Sequence, residues 1–228
     1  MEQENVGLYL GMDISEKYTM ISIYQQHMKE PQTISTIMGS ESYQIPTALA
    51  KKKGVGQWFF GREAKVRVKS GEALGVEDLL DKARTGEEVF LEHEKYAASD
   101  LLAIFLKRVL SLAGSAQAMM PLTKLVICLD KVSVEYMELF SAIMVKLGIE
   151  TDKLLLIDRR ESFYYYALSQ GPETFLHDVV MFDYTESDMV SCRLRRNMHT
   201  TPQVINLDQK NHGKLLDQKD GEFQKIAQ

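Results

Sequence analysis

GLYLGMDISEKYTMISIY, residues 7–24, decides how the rest of the chain is read. Leu8–Ile14 and Tyr18–Tyr24 carry β-branched and aromatic residues at strand density. Ser15-Glu16-Lys17 between them is short enough for a hairpin turn. An aspartate, Asp13, stands at the end of the first strand. A third strand is predicted at Thr33–Met38, after Pro31, which completes an antiparallel meander.

Outward from that hairpin, Ile45–Ala50 and Gln57–Phe60 read as a second, smaller one. Its turn is Lys51–Gly56, where Gly54 and Gly56 can supply positive φ. Gly54-x-Gly56 is not a dinucleotide fingerprint, because it lacks the third glycine and lies between strands. Arg62–Lys69 reads as a short helix. With Lys51–Lys53 it forms a basic cluster, expected to be a solvated loop and helix face. Val76–Ala83 is a helix candidate, and Glu92-His93-Glu94 a solvated loop. Ser99 is the expected N-cap of a helix over Asp100–Ala113. There Leu101, Leu102, Phe105, Leu106, Val109 and Leu112 fall on one face.

Lys124–Leu129 is short and apolar throughout, as in a strand covered on both faces. Ser133 can cap the next helix, with Met137, Phe140, Ile143, Met144 and Leu147 inward and Gly148 as its stop. Leu154–Ile157 is another short buried strand. Asp158 and Glu161 fit a capping box opening a helix through Ser169, ended by Gly171-Pro172. Such strands are expected to be parallel, joined by a right-handed crossover. Then Val179–Arg196 repeats the opening plan: apolar run, Asp183, polar turn, apolar run. A third strand is expected at Gln203–Leu207, and Gly221–Gln228 reads as the start of a helix.

Composition excludes several function classes. The 228 residues are 45% hydrophobic and 26% charged, an ordinary globular balance, with formal net charge -5. An acidic chain lacks the basic footprint of a nucleic-acid-binding domain. No apolar run reaches the ~18 residues of a membrane span. The polar, acidic MEQENV start is not a secretory signal, so the expected compartment is the cytoplasm. Cys128 and Cys192 read as buried small hydrophobes, with a redox pair as the alternative. The histidines His27, His93, His177, His199 and His212 show no metal spacing. Of Tyr164-Tyr165-Tyr166, one or two are expected to pack on the sheet and the third to face a partner.

The order of these landmarks resembles the superfamily of actin, the heat-shock chaperone ATPases and the sugar kinases. Within it the chain is most similar to the chaperone ATPases and bacterial actin-like proteins. Leu10-Gly11-Met12-Asp13 resembles the G-I-D-L-G-T-T first phosphate loop. Ile45-Pro46-Thr47 with Phe60–Lys65 resembles T-P-S followed by I-G-D-A-A-K. Leu125–Leu129 resembles V-V-T-V-P, Leu156–Arg160 falls at I-I-N-E-P, and Phe182–Glu186 falls at the F-D-L-G-G-G-T second phosphate loop. The resemblance implies a ribonuclease-H-like α/β fold: a mixed sheet of three antiparallel and two parallel strands flanked by helices, followed by the start of a second such domain. The implied domains are 1–172, with a hairpin insertion at about 45–95, and 173–228. It further implies nucleotide contacts at Asp13, Ser15, Lys17, Asp183 and Thr185, and magnesium held through water by Asp13 and Asp183.

The chain departs from that pattern where the chemistry would occur. Ser15-Glu16-Lys17 replaces G-T-T. Tyr184-Thr185-Glu186-Ser187 replaces G-G-G-T and carries no glycine. Arg159 falls at the catalytic glutamate of N-E-P. A carboxylate such as Glu16 or Glu186 ~4 Å from a phosphate charge costs about 4 kcal/mol at an effective dielectric of ~20. The expectation is a catalytically degenerate, pseudoenzyme-like binding or scaffold protein, with a protein partner or self-association and no cofactor. ATP and magnesium are expected only of a longer chain, of which this sequence reads as a piece. The alternative is an ATP-binding protein with an unusual phosphate site built from Asp13, Lys17, Asp183 and Thr185.

Overall fold

The computed structural model describes residues 7–37, 39–114, 122–169, 178–184, 189–197, 199 and 204–213. Thr185–Ser187, Gly171-Pro172, His177, Gln203 and the helix expected at Gly221–Gln228 lie outside them. The chain divides into two compact units, Met1–Ile157 and Asp158–Gln228.

The first unit is built on the opening hairpin, β1 (Leu8–Ile14) and β2 (Tyr18–Gln25). The two strands pair antiparallel from Leu8↔Gln25 to Ile14↔Thr19. Next come β3 (Gln32–Thr33), β4 (Ile45–Pro46), β5 (Leu49–Lys52), β6 (Trp58–Phe60) and α1 (Gly61–Lys69). They are followed by β7 (Ala73–Val76), α2 (Leu79–Thr85), β8 (Glu88–Leu91), β9 (Glu94–Ala97) and α3 (Ala98–Gly114). β10 (Leu122–Leu129), α4 (Val134–Leu147) and β11 (Leu154–Asp158) complete it. The main sheet runs β11-β10-β1-β2-β3, with β4 also on β2. β10 is parallel to β1, whereas β2 is antiparallel to β1, β3 and β4, so the sheet is mixed. A β6-β5-β7 sheet and a β8-β9 hairpin stand beside it.

Period-two alternation fixes which face is core. Leu8, Leu10, Met12 and Ile14 are buried, while Tyr9, Gly11 and Asp13 between them are only half-buried. Leu125, Ile127 and Leu129 follow the same rule on β10, and Val126 and Cys128 are half-buried. This strand therefore has one core face, not the two that its unbroken apolar run suggests, and β11, expected to be buried, buries only Ile157 and leaves Leu155 49% exposed, because it is the edge strand of the sheet. On the core face lie Leu101, Leu102, Phe105, Leu106 and Val109 of α3, all essentially inaccessible. Phe140, Ile143 and Met144 of α4 and Leu79, Leu80 and Ala83 of α2 close the layer.

Several local expectations shift. The third strand stops at Thr33, because the Ser35 and Thr36 hydroxyls bond Ser40 and Ser42 carbonyls and draw the backbone into a turn. Val76 belongs to β7, paired with Leu49, and α2 starts only at Leu79. Met137 is 46% exposed, since the buried stripe of α4 runs through Leu139, Phe140, Ile143 and Met144 and leaves it on the flank. α3 begins at Ala98, one residue before Ser99. Ser133 does cap α4, accepting from Tyr136 N–H at 3.4 Å, and Gly148 ends it at φ 70°.

Lys51 is the clearest departure from a solvated basic loop. It is buried, because β5 turns it inward, and its Nζ donates to Glu94 at 2.5 Å and Glu92 at 3.4 Å. These bonds, Glu94 first, hold the ammonium above its ordinary pKa. Glu92 itself sits at φ 56° in the β8-β9 turn, a left-handed conformation that costs a non-glycine residue about 1–2 kcal/mol. Gly54 N–H, at 2.8 Å from its Oε1, and Lys51 hold it there.

The second unit contains α5 (Arg159–Ser169) and an antiparallel sheet of β12 (Val179–Tyr184), β13 (Met189–Arg196) and β14 (Val204–Asn211). Asp158 accepts from Glu161 N–H at 2.9 Å, which is the expected N-cap. One sheet face buries Met181, Cys192 and Leu194, packed with Phe163 of α5 and Val204. Tyr164 is fully buried with Ala167, while Tyr165 and Tyr166 are exposed. Among the described residues no helix is long and apolar enough to cross a membrane.

Candidate functional site

The β1-β2 turn opens onto a pocket of about 390 Å³ beyond the C-terminal ends of β1 and β10. Crevices at the carboxyl ends of parallel strands are where open α/β sheets bind ligands. Its floor is apolar, from Ile14, Leu80 and Leu129. Its rim is acidic: Glu16, Asp78, Asp81 and Asp130, with Lys131 and Tyr136.

Ser15 closes the turn with its own hydroxyl. Its Oγ donates to the Tyr18 carbonyl at 3.0 Å and accepts from Tyr18 N–H at 3.2 Å. Glu16 reaches across to α2, where Leu80 N–H donates to its Oε2 at 3.3 Å. That helix needs a cap from elsewhere. Its own N-cap residue, Asp78, is left-handed at φ 51° and makes no side-chain cap bond. Burial pushes the Glu16 carboxyl above its ordinary 4.5, and the charges of Asp78 and Asp81 add to this, against the backbone bonds from Asp81 and Leu80. Tyr136 is pushed up by burial as well, and Arg84 lies over its ring at 5.9 Å.

The sign of the Glu16 effect can be tested. A carboxyl raised in the folded state binds its proton more tightly there than in the unfolded chain. Its share of stability is therefore fullest below pH 4.5 and is lost as pH rises through the raised value. Glu16→Gln keeps an acceptor for Leu80 N–H without the charge. It should match or exceed the parent at pH 7 and flatten the pH dependence of urea midpoints. Glu16→Ala, which removes the cap, should lose about 1 kcal/mol.

The residues singled out from sequence are not all brought to this pocket. Ser15 lines it; Asp13 does not. Ile14 points to the core face, so Asp13 lies on the opposite face of β1, beside Met20 and Cys128. Lys17 is exposed, and its carbonyl accepts from Thr47 N–H at 2.9 Å. Asp78, Asp81, Asp130 and Tyr136 were not marked by sequence, because they converge from two separate stretches, around the start of α2 and around the start of α4, and share no local motif.

In the second unit Asp183 stands on β12 opposite Val190, and Thr185 lies outside the described residues. The Arg159 guanidinium, at the start of α5, is 3.7 Å from the Asp183 carboxylate, and both side chains are largely buried. Arg160 donates to Asp158 and to Gln209 of β14, each at 2.9 Å, tying helix to sheet. Arg193 and Arg195 both bond Asp178 and hold its carboxyl down at about 2, Arg195 first, against a burial effect that raises it. Among the described residues no group of three His, Cys, Asp or Glu side chains is arranged to hold a metal ion.

Residues 30–228 match the family described as "Family of unknown function (DUF5716) C-terminal", and the chain belongs to that family. No curated protein matches the chain.

Proposed function

We propose that this family member is a degenerate relative of the actin and chaperone ATPases, a cytoplasmic binding or scaffold module that does not hydrolyse ATP. In this reading the mixed sheet of the first unit is a ribonuclease-H-like domain and the β12-β13-β14 sheet begins a second.

The carrying observation is the Arg159–Asp183 pair at 3.7 Å. In the resemblance Asp183 is the magnesium-side acid and Arg159 stands where a catalytic glutamate belongs. Here a guanidinium supplies the counter-charge that a metal ion would supply. A carboxylate already facing a fixed cation is a poor ligand for a second one. The residues present do not fit magnesium held in the family manner. The four carboxylates around the pocket in the first unit argue the same way, since they oppose a polyphosphate.

Differential scanning fluorimetry of the full chain tests the reading. No shift in Tm is expected with millimolar Mg-ATP. A micromolar Kd at that concentration would stabilise the folded chain by about 4 kcal/mol, a shift of several degrees. Such a shift, abolished by Asp13→Ala, would favour the alternative site of Asp13, Lys17, Asp183 and Thr185.

A further inference from the structure

The groove at the β1-β2 turn joins an apolar floor to a charged rim, and the rim has a definite sign. Its volume, about 390 Å³, falls in the ~300–1,000 Å³ range of ligand pockets. Glu16, Asp78, Asp81 and Asp130 line it with a single lysine, Lys131. Arg84 pairs with Asp81, and with both cations counted the acidic side still prevails. The flanking charges do not reverse this, since Glu77 and Glu135 outnumber Lys82.

The rim already holds one cation. The Arg84 guanidinium donates to Asp81 at 3.1 Å and lies 5.9 Å from the Tyr136 ring, and both of those residues line the groove. A carboxylate beside an aromatic face is a setting that suits a guanidinium. Asp78 is left over: its side chain makes no cap bond, and among the described residues it forms no ion pair. Burial, and after it the charges of Asp78 and Asp81, push the Glu16 carboxyl up against two backbone bonds that lower it. Crowded carboxylates of this kind are stabilised by a cation placed among them.

We propose that the groove docks an arginine side chain of a protein partner, with its stem over the apolar floor beside Tyr136 and its guanidinium among Glu16, Asp78 and Asp130.

Charge complementarity selects this occupant. An anionic or neutral apolar group would desolvate the carboxylates and offer no counter-charge. A bare metal ion would leave the floor uncovered, and among the described residues no three His, Cys, Asp or Glu side chains are arranged to hold one. Arginine supplies an apolar stem and a planar, weakly hydrated charge in one side chain.

The proposal deepens the reading of a binding module and rests on it. The two fail separately. Mg-ATP stabilisation would overturn that reading whatever the groove binds, and a groove indifferent to arginine would leave that reading standing.

The test is isothermal titration calorimetry of the full chain with an acetylated, amidated pentapeptide whose central arginine is flanked by leucines. Saturable binding is expected, with Kd below about 1 mM. The same peptide with citrulline, which keeps the shape and loses the charge, should bind about tenfold more weakly or worse. Asp78→Asn should weaken binding about threefold, and asparagine tolerates the left-handed backbone there. Lys131→Gln should tighten it by about the same factor. Glu150→Gln, which removes a carboxylate paired with Lys153 outside the groove, should leave it unchanged. Circular dichroism checks that each variant is folded; if Asp78→Asn is not, Lys131→Gln decides, because unfolding cannot tighten binding. Absence of saturable binding overturns the proposal, as does equal affinity for the citrulline peptide. So does a folded Asp78→Asn or Lys131→Gln that binds like the parent. Spermidine binding about tenfold more tightly than the peptide would make the occupant a free polyamine and overturn a protein partner.

Discussion

Replacing Phe105 by alanine is expected to remove about 3–5 kcal/mol from the stability of the first unit. The phenyl ring is completely inaccessible at the centre of α3, among Leu101, Leu102, Leu106 and Val109 and over the core face of β1 and β2. Deleting it forfeits the transfer free energy of the ring and leaves a cavity lined by residues of three helices and a sheet, which cannot all collapse inward. Urea unfolding followed by circular dichroism should show a lower midpoint at an unchanged slope. Val145→Ala on the exposed face of α4, 69% accessible, should stay within about 0.5 kcal/mol of the parent. Comparable losses for the two would mean that α3 does not organise this core.

The second large effect concerns the Arg159–Asp183 pair. Arg159→Met keeps the aliphatic stem but leaves the Asp183 carboxylate, 24% exposed, without its nearest cation. Loss of about 1–3 kcal/mol is expected, since a partly buried charge stranded by removal of its partner pays much of its desolvation cost. Arg159→Glu puts a second carboxylate near the first. Like charges at ~4 Å repel by about 4 kcal/mol at an effective dielectric of ~20, so this variant should fall below Arg159→Met. Asp183→Asn in the Arg159→Glu background should recover part of the loss. If all three variants unfold at the parent's urea midpoint, the pair does not contribute to stability, and the carrying observation of the proposed function loses its force.

How legible these features were depends on how local their causes are. The α3 core stripe was readable because apolar residues at helical spacing declare their own face. The same holds for the two hairpins with their strand-end aspartates, the Ser133 and Asp158 caps and the Gly148 stop, each decided within a few residues. The β8-β9 hairpin was not readable. Its turn residue is Glu92 at φ 56°, with none of the Asn-Gly or Asp-Gly chemistry that marks a tight turn, and Gly54 and Lys51, some forty positions earlier, stabilise it. Lys51 was misread for the same reason from the other side. A lysine in a run of three looks solvated until two carboxylates from a distant hairpin meet it.

The candidate site divides in the same way. Sequence alone determined that the turns Ser15–Lys17 and Tyr184–Ser187 carry no glycine, and that an arginine, Arg159, follows Asp158; those are facts of residue type at a position. Only the tertiary structure decided what these residues do. Glu16 faces the start of α2 because Asp78, left-handed, does not cap it. Arg159 meets Asp183 because α5 packs against the sheet that carries β12. The acidic rim exists because the β1-β2 turn, the start of α2 and the β10-α4 connection meet around one pocket, although β7, which leads into α2, belongs to a different sheet from β1 and β10. Charge and hydrogen bonding act through space over a few ångströms, and the chain brings such distances together from positions that its sequence keeps far apart.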